Sequence, residues 1–350
     1  MFGQIRRKAP GNSGVPSAAM PAHSDAEPGA SPRTPGTLAP AIETRELAKR
    51  YGAITALAGL TLTVGRGEVF GFLGPNGAGK TTAVKLLLGL ARPSGGQGRV
   101  LGAPLGDRTV RRRIGYLPEL FRYQPWLRAR EVLRLHCELA GLPRSAWPGE
   151  VAGGLRLVGL ADRGEHLVGT FSKGMQQRLG LGVALLGSPD LVVLDEPTSA
   201  LDPVGRSDVR RIVREVRERG TTVFLNSHLL TEVERLCDRV AIVDHGRVVA
   251  AGAPGELAAD GAVRVRTDGL DAALVARLAL DFGELRLDGE WLTAALEPAR
   301  VPDLVAALVA AGARVHVVEP GRSTLEDVFL RVVSGGSAGG GAGGEAGVPA

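Results

Sequence analysis

Short apolar runs alternate with amphipathic stretches across residues 41–253. Val69–Leu73, Ile114–Leu117 and the runs 191–194, 222–225 and 240–243 are almost wholly apolar, the pattern of strands buried on both faces. Between two of them, residues 208–219 place Val209, Ile212, Val213 and Val216 on one side of a helix. The alternation predicts an α/β fold, a mainly parallel sheet with helices on both faces. From residue 261 the pattern changes. It predicts strand 263–267, helix 270–280, strand 284–287, strand 291–297, helix 302–311 and strand 314–318, with Asp288-Gly289 as the hairpin turn. That β-α-β-β-α-β order describes a small α+β, ferredoxin-like domain over 261–333, whose last element is a helix at 324–333. Residues 1–40 and 334–350 are dominated by Gly, Ala, Ser and Pro and read as disordered tails.

Composition narrows the class. A chain of 350 residues has room for roughly two domains. The longest apolar candidate, 179–194, is broken by Gly187, Ser188, Pro189 and Asp190, so no membrane-spanning helix is expected. The opening MFGQIRRKAP has no apolar signal core, which argues against secretion. Cys137 and Cys237 alone make neither a disulfide framework nor a zinc site. The net charge of +5 is carried by Arg, with Lys only at 8, 49, 80, 85 and 173, and reads as compositional bias; no nucleic-acid partner is expected.

The chemistry concentrates in two places. Gly74-Pro75-Asn76-Gly77-Ala78-Gly79-Lys80-Thr81, followed by Thr82, fits G-x-x-x-x-G-K-[ST] between the strand Val69–Leu73 and an expected helix 81–90. Glycines let backbone N–H groups turn towards phosphates, and the helix N-terminus adds partial positive charge. Lys80 supplies a full charge, and Thr81 a hydroxyl for Mg²⁺. The second place is Leu191-Val-Val-Leu-Asp195-Glu196, a buried strand that delivers two carboxylates at the edge where parallel sheets bind ligands. Asp195 suits a metal, and Glu196 suits a general base for water.

With these residues in place the chain resembles the ATP-binding cassette (ABC) family over about 41–253. Phe171-Ser172-Lys173-Gly174-Met175-Gln176-Gln177-Arg178 looks like the family's signature segment, ahead of Asp195. Tyr51 matches the aromatic that stacks on adenine, Ser199-Ala200-Leu201-Asp202 the loop that crosses a dimer interface, and His228 the histidine at the γ-phosphate. Two positions depart from the pattern. Glu119, in Ile114-Gly-Tyr-Leu-Pro-Glu119, stands where the family usually has Gln and is expected at the metal with Thr81 and Asp195. The signature carries Lys173 for Gly and Met175 for Gln, as the antibiotic-resistance and drug-export branch does. The 261–333 extension and its ending Ser323-Thr-Leu-Glu-Asp-Val-Phe-Leu330 resemble that branch too.

The resemblance implies an ATPase with ATP and Mg²⁺ as cofactors, in which Glu196, His228 and Lys80 do the chemistry. It implies that Ser172, Lys173, Gly174, Met175 and Asp202 face the nucleotide of a second copy, or of a second ATP-binding subunit. It further implies an integral membrane permease as partner and a peripheral position on the cytoplasmic side of the membrane, with export favoured. Phe121, Tyr123 and Trp126 with the expected helix 129–140 suggest the permease contact. Soluble family ATPases of translation or DNA repair are the alternative; they usually carry two cassettes or a long coiled coil, which this chain lacks. A nucleotide kinase would lack the signature segment.

Overall fold

A computed structural model describes residues 39–199, 201–258, 262–320 and 324–337. A six-stranded sheet runs in the order Arg247–Gly252, Arg239–Asp244, Val69–Leu73, Thr222–Asn226, Leu191–Asp195, Ile114–Leu117. All neighbours are parallel except the first pair, a hairpin. Its strands alternate between two apolar clusters: Val69, Leu73, Val192, Leu194, Val223 and Leu225 face one, and Phe70, Phe72, Leu191, Val193 and Phe224 face the other. Burial on both faces is why these runs lack polar positions.

A second sheet was not expected. Ile42–Tyr51, Ile54–Val64, Gly95–Val100 and Ala103–Pro104 form an antiparallel sheet that completes the second cluster through Ile42, Leu47, Leu57, Leu60 and Val100. Tyr51 therefore ends the first strand of a hairpin, paired with Ile54. The helices Ala129–Leu139, Trp147–Leu157 and Lys173–Ala184 pack together on the first cluster. There the three aromatics part company. Phe121 and Tyr123 meet at a tilt with centroids 5.4 Å apart and Tyr123 meets His136 edge-on at 5.7 Å, whereas Trp126 is 70% exposed and outside that group.

The α+β elements follow the expected order: Ala262–Asp268, Ala272–Phe282, Leu285–Asp288, Trp291–Ala295, Val301–Ala310 and Arg314–Pro320. The strands form one antiparallel sheet in the order second, third, first, fourth, with the helices on the face that carries Val263, Val265 and Leu292. The hairpin turn lies at Gly289, which takes a positive φ of 56°.

The last helix, Leu325–Ser337, runs four residues into the segment read as a tail. The rest of both expected tails, apart from residues 39 and 40, lies outside the described residues. This helix does not join the α+β core. Leu325 and Val328 are buried in the same cluster as Val233, Cys237 and Val240, and the Leu325 N–H donates to Glu234 Oε1 at 2.7 Å.

Two outcomes follow from this packing. Leu325→Ala removes a fully buried side chain and should lower unfolding stability by about 2–5 kcal/mol, read from denaturant melts. Burial holds the His136 pKa below its ordinary value, so the ring is harder to protonate in the folded state than in the unfolded chain. The unfolded chain takes up that proton first as pH falls through about 6.5, so stability is lost below that point. His136→Phe should lose less melting temperature than the native chain between about pH 7.5 and about pH 5.5.

Candidate nucleotide-binding site

The loop 74–79 connects the strand Val69–Leu73 to the helix Lys80–Leu87. Gly79 is the residue before the helix, with φ 97°, and it offers no side-chain cap, so the first N–H groups stay available for an anion. A Cβ at Gly79 would lie 2.3 Å from the Ala56 carbonyl oxygen, and one at Gly74 2.3 Å from that of Val243. The loop thus has to be glycine where it crosses its neighbours. Pro75, Asn76, Gly77, Ala78, Thr81 and Thr82 complete it, with Asn76, Gly77 and Thr81 exposed. Lys80 Nζ donates to the carbonyl oxygens of Gly74 and Pro75 at 2.6 and 3.1 Å. Burial pulls its pKa down, and the charges of Glu196, Asp195 and Glu119 push it back up. Those opposing effects place all three carboxylates within electrostatic reach of the ammonium.

Asp195 and Glu196 leave the buried strand Leu191–Asp195 side by side. Desolvation raises both pKa values. Two residues offset that cost. The side-chain amide of Asn226 donates to Asp195 Oδ1, and His228 Nδ1 lies 2.8 Å from Glu196 Oε2. Glu196 also sits at φ 53°, a left-handed conformation that non-glycine residues rarely adopt. Its N–H donates to the Asn226 carbonyl oxygen at 2.9 Å, which helps hold that conformation. Apart from the His228 contact, Glu196 Oε2 has no partner among the described residues, and neither has Asn226 Oδ1. An unpaired buried Asn226 Oδ1 next to a Glu196 Oε2 met only by His228 marks a polar pocket suited to water or a metal-bound water.

Among the described residues no group of three or more His, Cys, Asp or Glu side chains can hold a metal by itself. The oxygens of Thr81, Asp195 and the exposed Glu119 fit Mg²⁺ in the manner usual for that ion, one or two carboxylates completed by substrate phosphates and water. Glu119 follows the strand Ile114–Leu117, and its charge raises the pKa of Asp195.

The signature residues form a separate group. Ser172 caps the helix Lys173–Ala184, its Oγ accepting the Met175 N–H at 3.2 Å. Lys173 is exposed, and Met175 packs against the first cluster. A Cβ at Gly174 would touch Leu201 at 3.4 Å, so the signature abuts Leu201 in the loop before the next helix. Asp202 ends that loop and caps the next helix, accepting the Gly205 N–H at 2.7 Å. Among the described residues no hydrogen bond or ion pair joins 172–175 to the loop 74–82. Tyr51 is 46% exposed, with Lys49 Nζ 4.8 Å above its ring.

Three contributors escaped the sequence reading. Asn226 lies beside Asp195 in register, and a polar residue ending an apolar strand was the available signal. Tyr116, on the neighbouring strand, has its pKa raised by burial and then by Asp195 and Glu119. Gln177 Nε2 donates to the Pro197 carbonyl oxygen at 3.1 Å, tying the signature helix to the turn after Glu196.

Comparison with known proteins agrees with this geometry. The sequence profile of the family described as ABC transporter matches residues 57–199. Nod factor export ATP-binding protein I of Burkholderia orbicola is 37% identical, over 83% of this chain and 96% of its own length. Daunorubicin/doxorubicin resistance ATP-binding protein DrrA of Streptomyces peucetius is 42% identical, over 62% of this chain and 66% of its own. A solved structure described as the ATP binding subunit of an ABC transporter superposes with a TM-score of 0.57 at 33% identity, covering 62% of this chain and 91% of the other. A buried carboxylate pair facing a glycine-lined phosphate loop, on a chain with relatives of this extent, leads to one conclusion: the protein belongs to the ABC transporter family, as an ATP-binding subunit that hydrolyses ATP.

Proposed function

We propose that this chain powers an exporter whose membrane-spanning permease is a separate protein, and that two ATP-binding subunits enclose each ATP between them. The observation that carries the reading is the buried Glu196 carboxylate, met only by His228 at 2.8 Å on Oε2, at the sheet edge that begins the phosphate loop. No helix among the described residues is long and apolar enough to cross a membrane. The export direction rests on the names of the relatives, one of them a Nod factor export protein and another a drug resistance protein. A place on the cytoplasmic face of the membrane follows from that partnership. Leu120 at 88% and Trp126 at 70% exposure, with Arg122 between them, offer the permease an apolar and basic contact next to Glu119.

In this reading Tyr51 stacks on adenine, and the N–H groups of 74–82 hold the phosphates. Lys80 exchanges its contacts with the Gly74 and Pro75 carbonyl oxygens for phosphate oxygens. Mg²⁺, held by Thr81, Asp195 and Glu119, would neutralise charge on the phosphates. Glu196 accepts a proton from the attacking water as the new P–O bond forms and the bond to the ADP oxygen breaks. Its raised pKa strengthens it as a base. His228 orients Glu196 and reaches the γ-phosphate. Ser172, Lys173, Gly174, Met175 and Asp202 close over the nucleotide of the opposite subunit, so that phosphate charge holds the dimer together and hydrolysis releases it.

Glu196→Gln tests this directly. It should keep ATP binding, lower kcat by at least about a hundredfold, and accumulate an ATP-dependent dimer in size-exclusion chromatography with light scattering. Native turnover in that variant would remove Glu196 as the base, and a strictly monomeric ATP complex would remove the shared site.

A further inference from the structure

Leu201 and Asp202 belong to a different segment from His228, and among the described residues one largely shielded ion pair joins the helices that follow the two segments. Asp202 Oδ1 accepts the Gly205 N–H at 2.7 Å, and Arg206 Nε donates to the Leu201 carbonyl oxygen at 3.1 Å. These bonds fix the loop to the first turn of the helix Pro203–Glu218. One turn further on, Arg210 Nη1 lies 2.6 and 2.8 Å from the two carboxylate oxygens of Glu232. Glu232 stands in the first turn of the helix Leu230–Leu236, just after His228.

Two features separate this pair from the other ion pairs of the same helix. Its side chains are 18% and 9% exposed, whereas Arg211–Glu215 stands at 53% and 37% and Arg217–Asp238 at 44% and 33%. Exposed pairs of that kind contribute little, while a shielded pair fixes geometry more firmly. The second feature is the helix it anchors. Leu230–Leu236 has seven residues and no side-chain cap at Leu229, so it has little stability of its own. Its position depends on Val233 in the core, Glu234 at the Leu325 N–H, and Glu232. Of these, Glu232 lies nearest in sequence to His228, which reaches Glu196 from an otherwise exposed position.

We propose that Arg210 and Glu232 are positioning residues for ATP hydrolysis, holding His228 in register with Leu201 and Asp202 so that a contact made at Asp202 alters the reach of His228 to Glu196. The pair would couple what the opposite subunit does at Asp202 to the base on this one. The proposal rests on the shared-site reading given above.

The test uses the full chain with both charges replaced together, Arg210→Met with Glu232→Met, so that no buried charge is stranded. Phosphate release against ATP concentration should show kcat lowered by about tenfold at a KM within about twofold of native. The Hill coefficient for ATP should fall towards about 1. The melting temperature should stay within about 4 °C of native, so that the lowered kcat does not come from a loss of fold. Reversing the pair, Arg210→Glu with Glu232→Arg, should recover part of kcat. Native kcat and Hill coefficient in the folded methionine pair would overturn the proposal. If the methionine pair does not fold, Arg210→Lys serves instead: it keeps the charge but loses the two-oxygen contact, and native kcat there is equally fatal. Glu196→Gln serves as the independent control. An ATP-dependent dimer in it, alongside native kcat in the methionine pair, removes this proposal only; no dimer removes the shared site and the proposal with it.

Discussion

Two neighbouring carboxylates have to leave water at the end of a strand that is buried on both faces, and the surrounding architecture is organised by that cost. Asp195 and Glu196 are each pushed towards the neutral form by burial, and Asp195 adds like-charge repulsion to Glu196. Partners must come from adjacent strands, because their own strand supplies only apolar neighbours. The parallel register delivers them. Phe72, Asn226 and Asp195 stand in one row across three strands, so Asn226 meets Asp195 while the next residues along open into the phosphate loop, His228 and Glu196. Placing Thr222–Asn226 between the other two strands is what brings an amide donor to the first carboxylate and an imidazole to the second.

The same electrostatics explains the resting arrangement of Lys80. An ammonium half-removed from water needs acceptors, and it finds two carbonyl oxygens of its own loop while three carboxylates hold its pKa up. Phosphate oxygens present stronger acceptors at the same loop, so the exchange costs the protein little reorganisation. Glu119 matters within this balance. A neutral amide in its place would leave Asp195 with one like charge fewer nearby and Lys80 with one attractive charge fewer. The chain therefore holds more negative charge around Asp195 and Lys80 than a glutamine would give.

Much of this could be read from the chain because the signals are local. Unbroken apolar runs require burial on both faces, and a glycine-rich turn between a strand and a helix requires a backbone that approaches something closely. The antiparallel sheet over 42–104 was missed because its strands are not uniform runs. Ile42–Tyr51 carries Glu43, Arg45, Glu46, Lys49 and Arg50 on positions that face solvent or the sheet edge, and its register shifts at Glu46, which takes a positive φ. Bulges of this kind break the two-residue period on which recognition of a half-buried strand depends. Asn226 and Gln177 were missed for a different reason. Each acts through a residue distant in sequence, and only the register of strands, or a helix packed on a turn, reveals the partner. Trp126 shows the opposite case: it was grouped with Phe121 and Tyr123 by nearness in sequence, but it sits in the turn closed by the Leu127 N–H to the Gln124 carbonyl oxygen and stays exposed.

Chain order and core membership also diverge at the C-terminus. The α+β elements have their own apolar cluster, so by sequence they look like an appendage joined at one point. Yet the helix that follows them returns to the ATPase core, where Leu325 is fully buried and its N–H meets Glu234. An element fastened at both ends has fewer positions open to it than one hung from a single linker, because both ends of the connecting chain are fixed. Its far attachment falls on Leu230–Leu236, the short helix that also carries Glu232 and follows His228. A seven-residue helix cannot hold its own orientation against forces at three anchor points. The helix that closes the α+β unit and the segment that carries His228 thus share one small element among their attachments, so a shift of either loads contacts of the other.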